Sequence, residues 1–129
     1  MSWDAYRDQL KAVETVTEVG IFGLDGSTWS KTDGMPMMPE QVKVLCGDSQ
    51  CMRECGPKIG TIKCMLLRDE RNDEKSCCMH LKTSTSDGKL AVCVGYSKTA
   101  ILVVFGSGHG NLLSGPVFKM VNYLREAGY

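Results

Sequence analysis

Residues 89–105 read KLAVCVGYSKTAILVVF. Two short β-rich runs, Lys89–Gly95 and Thr99–Phe105, stand either side of the break Tyr96–Lys98. A connection this short favours antiparallel neighbours, because a parallel crossover needs a dozen or more residues. The same pattern extends upstream. Thr61–Arg68 and Cys77–Thr83 are further strand-like runs, set off by the polar turns Asp69–Lys75 and Ser84–Gly88. Nearer the start, Val16–Leu24 reads as a buried strand and Thr28–Lys31 as its return. Asp25-Gly26 lies between them, with glycine suited to the positive φ of a tight turn.

Helices flank this strand-rich stretch. In residues 2–13 (SWDAYRDQLKAV), Trp3, Tyr6, Leu10 and Val13 recur at three- and four-residue spacing. That is one apolar helix face, with Ser2 placed to cap it and Asp4 in the dipole-favoured first turn. A final helix is expected to start between Asn111 and Ser114 and to reach Ala127, with Gly128 breaking it. Its stripe of Leu113, Val117, Met120, Val121 and Leu124 should face the sheet. Tyr123 and Phe118 fall on opposite flanks of that stripe, and Lys119, Asn122 and Glu126 on the solvated back. Gly34–Pro39 reads as a loop, Glu40–Cys46 as a short helix, and Gln50–Cys55 as a helical or turn segment ended by Gly56-Pro57. The fold class is α+β, an antiparallel sheet with terminal helices packed on it.

Composition bounds the function. A length of 129 residues suits one domain, 1–129, with one core. Fifteen basic residues balance fifteen acidic ones, and no basic cluster offers the counterion-displacing surface that nucleic acid requires. With 43% hydrophobic residues the chain is not of the disordered class. The longest uncharged apolar run, Ala100–Phe105, is far too short to span a bilayer, and no signal-peptide pattern opens the sequence. A soluble cytoplasmic protein is expected. The seven cysteines are an odd number and include no C-x-x-C pair, so reduced thiols are expected rather than a disulfide framework. Cys51, Cys55, Cys77, Cys78 and His80 would have to converge from loosely spaced positions to hold a metal. Cys46, Cys64 and Cys93 read instead as small core hydrophobes. On a strand, the vicinal pair Cys77–Cys78 should leave one thiol exposed. Gly106–Gly110 is a glycine-rich turn that lacks the G-K-[ST] ending of a phosphate loop, and no cysteine is paired with His80 or His109 at a nucleophile–base spacing. No enzyme, cofactor or metal is expected.

Of nine aromatic residues, Trp3, Tyr6, Trp29, Tyr123 and Tyr129 sit at the chain ends or beside a hairpin turn. If the two terminal helices lie side by side, these rings converge. A patch of Trp and Tyr offers flat apolar faces with N–H and O–H donors, which suits a polyproline II ligand whose carbonyls are unpaired.

Ser2-Trp3-Asp4-Ala5-Tyr6, Gly23–Trp29, Leu67-Arg68-Asp69, Ser97–Ala100, His109-Gly110 and the closing Tyr123-Leu124 and Gly128-Tyr129, together with length and element order, resemble the profilins over essentially the whole chain. The resemblance implies a central sheet of about six strands, with the terminal helices side by side on one face and short helices on the other. It implies a groove for proline-rich proteins such as formins at Trp3, Tyr6, Trp29, Tyr123, Leu124 and Tyr129. Leu124 is the one member that the residue pattern alone assigns to the core. A second implied ligand is monomeric actin, held opposite the proline groove by the sheet edge and the outer flank of the last helix, at Lys63, Arg68, Lys82, His109, Asn111, Ser114 and Phe118. There Arg68 and Lys82 would pair with acidic groups, and Phe118 would be the apolar anchor. The sequence departs from the vertebrate pattern at Lys119 (acidic there), Gly115 (basic there) and Ser84 (lysine there). Phosphoinositide is a third ligand of the family, and zero net charge argues against a strong basic patch for it. The expectation is a monomeric actin-binding module that regulates polymerisation and nucleotide exchange at the cytoskeleton. The alternative is an adaptor that keeps the proline groove with weak or no actin affinity.

Overall fold

The computed structural model describes residues 3–32, 38–45, 47, 57–60, 62–70, 78–83, 91–106 and 111–129. Its elements are α1 (Trp3–Lys11), β1 (Val16–Gly23), β2 (Thr28–Lys31), α2 (Pro39–Leu45), β3 (Lys58–Ile59), β4 (Ile62–Glu70), β5 (Cys78–Thr83), β6 (Ala91–Tyr96), β7 (Ala100–Gly106) and α3 (Asn111–Glu126). The seven strands form one antiparallel sheet in the order β2-β1-β7-β6-β5-β4-β3. The expectation of about six strands thus falls one short. The extra strand, β3, has two residues, too few to show any periodicity.

The β6–β7 hairpin is the expected one, moved by a residue. Tyr96 belongs to β6, pairs with Ile101 and is buried, while Ser97 N–H donates to Ala100 O at 2.9 Å to close the turn. β4 likewise runs on to Glu70, because Asp69 and Glu70 pair with Met79 and Cys78 instead of turning.

The pairing of β1 with β7 joins the two ends of the chain. α1 leads into β1 and α3 follows β7, so the two helices come to lie beside each other on one face. There α1 packs on β1 and β2, and α3 on β6, β7 and β5. Alternation along the strands then builds two cores. Ala100, Leu102 and Val104 face the helices with Val19, Ile21, Cys93, Leu113, Val117, Val121 and Leu124. Ile101, Val103 and Phe105 face the other way, with Phe22, Val92, Val94, Leu81 and the α2 residues Val42 and Leu45. Because β7 is buried on both faces, its sequence is a continuous apolar run. Leu113, Val117, Val121 and Leu124 are fully buried, and burial of such side chains is worth about 1.5–3 kcal/mol each, which holds α3 on the sheet. Lys119, Asn122 and Glu126 are exposed on its back, as the stripe predicts.

Polar contacts fix the helix ends. Arg7 Nη1 donates to Lys31 O at 3.2 Å and the Ser30 hydroxyl donates to the Asp4 carboxylate, tying α1 to β2. The Arg125 guanidinium donates to Tyr96 O at 3.1 and 2.8 Å, tying the end of α3 to β6. On the other face the Tyr96 hydroxyl donates to Leu45 O at 2.5 Å and anchors α2. No helix among the described residues is long and apolar enough to cross a membrane.

Candidate functional site

The terminal rings meet. Trp3 lies 5.5 Å from Tyr6, 4.7 Å from Trp29 and 5.3 Å from Tyr129 between ring centroids, and Tyr6 lies 5.8 Å from Tyr123. Three elements supply them: α1 gives Trp3 and Tyr6, β2 gives Trp29, and α3 with the residues after it gives Tyr123 and Tyr129. Edge-on and tilted contacts at these distances suit the aromatic quadrupole and stiffen the cluster. Tyr6 is buried and Trp3 and Trp29 are half-buried, whereas Tyr123 and Tyr129 are each 47% exposed. The arrangement is a shelf with an inner wall and two outward rings. A hydrogen bond with Tyr123 and burial raise the Tyr6 phenol above its ordinary pKa, so its hydroxyl stays protonated near neutral pH.

Tyr129 owes its position to the chain reversal that follows α3. Gly128 takes φ 95°, a left-handed value that a side chain would strain, and Tyr129 N–H then donates to Leu124 O at 2.8 Å. The main-chain oxygen of Tyr129 accepts from Thr99 N at 2.7 Å and from the Ser97 and Thr99 hydroxyls, both at 2.9 Å. The β6–β7 turn therefore pins the last ring in place. Leu124 is fully buried beneath the shelf, where the helical stripe put it.

The second set of residues occupies different ground. Residues paired across antiparallel strands share a face. Lys82 pairs with Met65 on β4 and with Ala91 on β6, and Ala91 belongs to the helix-side core. Lys63 and Met65 alternate with Cys64, which belongs to the other core, so they share the face of Lys82. A bulge between Leu66 and Arg68 then brings Arg68 opposite His80 on that same face. Lys63 and Arg68 are exposed, Lys82 is half-buried, and Met65 and Leu67 are large exposed apolar neighbours. Phe118 is half-buried and packs against the helix-side core. The described members of the second set thus lie along the β4–β5 side of the sheet and on the flank of α3 that carries Phe118. Both sets are on the helix-bearing face, with Tyr123 and Phe118 on the two flanks of α3. Asn111 and Ser114 are on the first turns of α3, but their side chains, like His109 and Ser84, lie outside the described residues.

Sequence reading missed the exposed Met65, the bulge residue Leu67, and His80, which the sequence offered only as a metal ligand or a base. His80 is buried on β5 with Nε2 3.4 Å from Glu70 Oε1, and Nδ1 has no hydrogen-bond partner among the described residues. Burial, then the Arg68 charge, lower its pKa against the opposing effect of Glu70. Cys64, Cys78 and Cys93 are buried, as small hydrophobes would be. Burial pushes the Cys64 thiol up to about 11, and a hydrogen bond with Cys78 together with burial raises Cys93, so neither is a ready nucleophile. Cys46, Cys51, Cys55 and Cys77 lie outside the described residues, and no group of three or more His, Cys, Asp or Glu among those described could hold a metal.

A curled antiparallel sheet carrying an aromatic shelf between its terminal helices defines a class of small ligand-binding modules. The profilin family model matches residues 1–129, and the chain belongs to the profilin family. It is 29% identical to profilin-1 of Homo sapiens over 98% of each chain. Among solved structures it is similar to mouse profilin IIa in complex with a double repeat from the FH1 domain of mDia1, at 25% identity over 100% of both chains and a TM-score of 0.92. Acanthamoeba castellanii profilin IB is 25% identical, with 99% of this chain and 100% of that one covered and a TM-score of 0.81.

Proposed function

We propose that this protein is a non-enzymatic cytoplasmic module that binds proline-rich segments on the aromatic shelf and monomeric actin on the β4–β5 strip and the Phe118 flank of α3. The observation that carries the first half is the Trp3 cluster, in which one indole touches Tyr6, Trp29 and Tyr129 within 5.5 Å. Flat rings with hydroxyl donors match the ring faces and unpaired carbonyls of a polyproline II helix, and mouse profilin IIa is solved in complex with a double repeat from the FH1 domain of mDia1. Trp3, Tyr6, Trp29, Tyr123 and Tyr129 form the contact surface and Leu124 supports it from below. Actin binding rests on family membership and on Lys63, Arg68 and Lys82 sharing the helix-bearing face with apolar Met65, with Phe118 half-buried on α3 as the candidate anchor. His109, Asn111 and Ser114 complete the proposed actin set. A module that favours the open form of actin speeds nucleotide exchange only through that difference in affinity.

Titration with poly-L-proline should change the tryptophan fluorescence, because both tryptophans are in the shelf. A flat response from protein shown to be folded by circular dichroism removes the proline half. An actin nucleotide-exchange assay tests the other half. Acceleration supports the full function, and its absence alongside intact proline binding favours the adaptor reading, to which the departures at Gly115 and Lys119 point.

A further inference from the structure

We propose that Met65 is a redox modification site, at which oxidation of the thioether to the sulfoxide closes the β4–β5 strip to actin. The switch rests on the strip being an actin-binding surface. Burial divides the methionines among the described residues. Met79 is fully buried and Met120 is 7% exposed, whereas Met38 and Met65 are 52% and 55% exposed. Thioether oxidation follows access, since the sulfur has to meet an oxidant arriving from water. Met38 directly precedes α2, whose Val42 and Leu45 pack on the opposite face of the sheet. Of these four, Met65 is the accessible one that stands on the strip.

Its neighbours determine what oxidation does. Lys82 is directly opposite on β5, and side chains so paired have Cβ atoms about 4.5–5.5 Å apart. Lys63 follows the same alternation two residues back along β4. A thioether sulfur is a weak acceptor, so reduced Met65 leaves the Lys82 ammonium to an acidic partner and offers that partner an apolar methyl end. A peroxide transfers one oxygen atom to the sulfur. The thioether is oxidised by two electrons, hydrogen peroxide is reduced to water, and no bond of the chain breaks. The new oxygen is polar and accepts hydrogen bonds, and Lys82 is the donor across the ladder. Oxidation therefore removes an apolar contact, adds a group that costs free energy to desolvate, and engages a cation of the strip. Methionine sulfoxide reductases, one for each epimer, restore the thioether. The residues of the aromatic shelf include no methionine, so proline binding is outside the switch.

Brief treatment with hydrogen peroxide, followed by dithiothreitol to restore thiols, tests the site. Peptide mass mapping should find sulfoxide at Met65 and Met38 ahead of Met79 and Met120, and bound actin should shield Met65 but not Met38. Actin affinity, read by sedimentation, should fall about tenfold in the treated wild type and return after the reductases, while the response to poly-L-proline does not move. Each variant is compared with its own untreated state. Met65→Leu, which keeps side-chain volume and cannot form a sulfoxide, should stay within about twofold of that state, and Met38→Leu should lose as much as the wild type. Equal losses in Met65→Leu and wild type, or unchanged affinity once Met65 is fully oxidised, would overturn the switch while leaving actin binding intact. Sulfoxide forming at Met65 equally with and without bound actin would place the residue outside the interface and overturn it too. Untreated wild type that does not bind actin would remove the actin reading and the switch with it.

Discussion

The two proposed ligand surfaces share a sheet face and a helix yet are built on opposite physical plans. The shelf is made of rings that hold one another: Trp3 touches three other rings, and Tyr129 is fixed by three hydrogen bonds to its main-chain oxygen. The β4–β5 strip is made of cationic side chains standing on a pleat, Lys63, Arg68 and Lys82, with exposed Met65 among them and Phe118 on the neighbouring flank of α3. α3 divides the two, because Tyr123 and Phe118 leave its buried stripe on different sides. One helix can therefore serve two ligands at once, and single substitutions should separate them.

The largest separation is expected from Trp3→Ala. It deletes the centre of the ring cluster, and truncating such an anchor removes 2 kcal/mol or more of binding energy, about thirtyfold or more in affinity. Calorimetric titration with poly-L-proline should show that loss, while actin nucleotide exchange stays at the wild-type level. Parallel loss of both activities in folded protein would mean that the surfaces are not independent.

The converse, Phe118→Ala, should be smaller. Phe118 is only half-buried and one of several contacts, so about a tenfold loss of actin affinity is expected, near 1.4 kcal/mol. Sedimentation with labelled actin measures it, and the response to poly-L-proline should not move.

The unequal legibility of the two surfaces follows from the same difference. Nine rings in 129 residues are few, and five of them stand at the chain ends or beside a hairpin turn, so the shelf was legible on one condition, side-by-side terminal helices, which the pairing of β1 with β7 meets. The stripe of α3 was equally plain because five apolar residues recur at helical period. The strip was not legible in this way. Strict alternation from Lys63 and Met65 places Leu67 on the helix-bearing face and Arg68 in the opposite core. Only the bulge after Leu66, invisible in the residue pattern, exchanges them. The role of Ser97 was also hidden, since a turn serine gives no sign of what it holds. Its hydroxyl accepts from Ala100 N at 3.0 Å and lies 2.9 Å from Tyr129 O. Ser97→Ala leaves the buried Ala100 N–H unpaired and loosens the last ring. A stability loss of about 1–2 kcal/mol by urea unfolding is expected, with a few-fold loss of proline affinity and unchanged actin binding.

The smallest effect expected distinguishes the surfaces by pH. His80 lies beneath the strip, paired with Arg68 across β4–β5 and facing Glu70, with Lys82 two residues along the same strand face. Its folded pKa is below the ordinary 6.5, through burial first and the Arg68 charge second. The unfolded chain therefore takes up the proton more readily than the native state. Full stability is present above about pH 6.5, and part of it is lost as pH falls from there through the lower folded value. The shelf has no counterpart, since the Tyr6 phenol is raised and titrates far above neutrality. Thermal melts from pH 7.5 to 5 should fall more steeply for the wild type than for His80→Gln, and hydrogen exchange should quicken in β4 and β5 before it does in α1. Identical pH profiles for the two proteins would show that the Glu70 carboxylate fully compensates the burial of His80, and the strip would then be as insensitive to acid as the shelf.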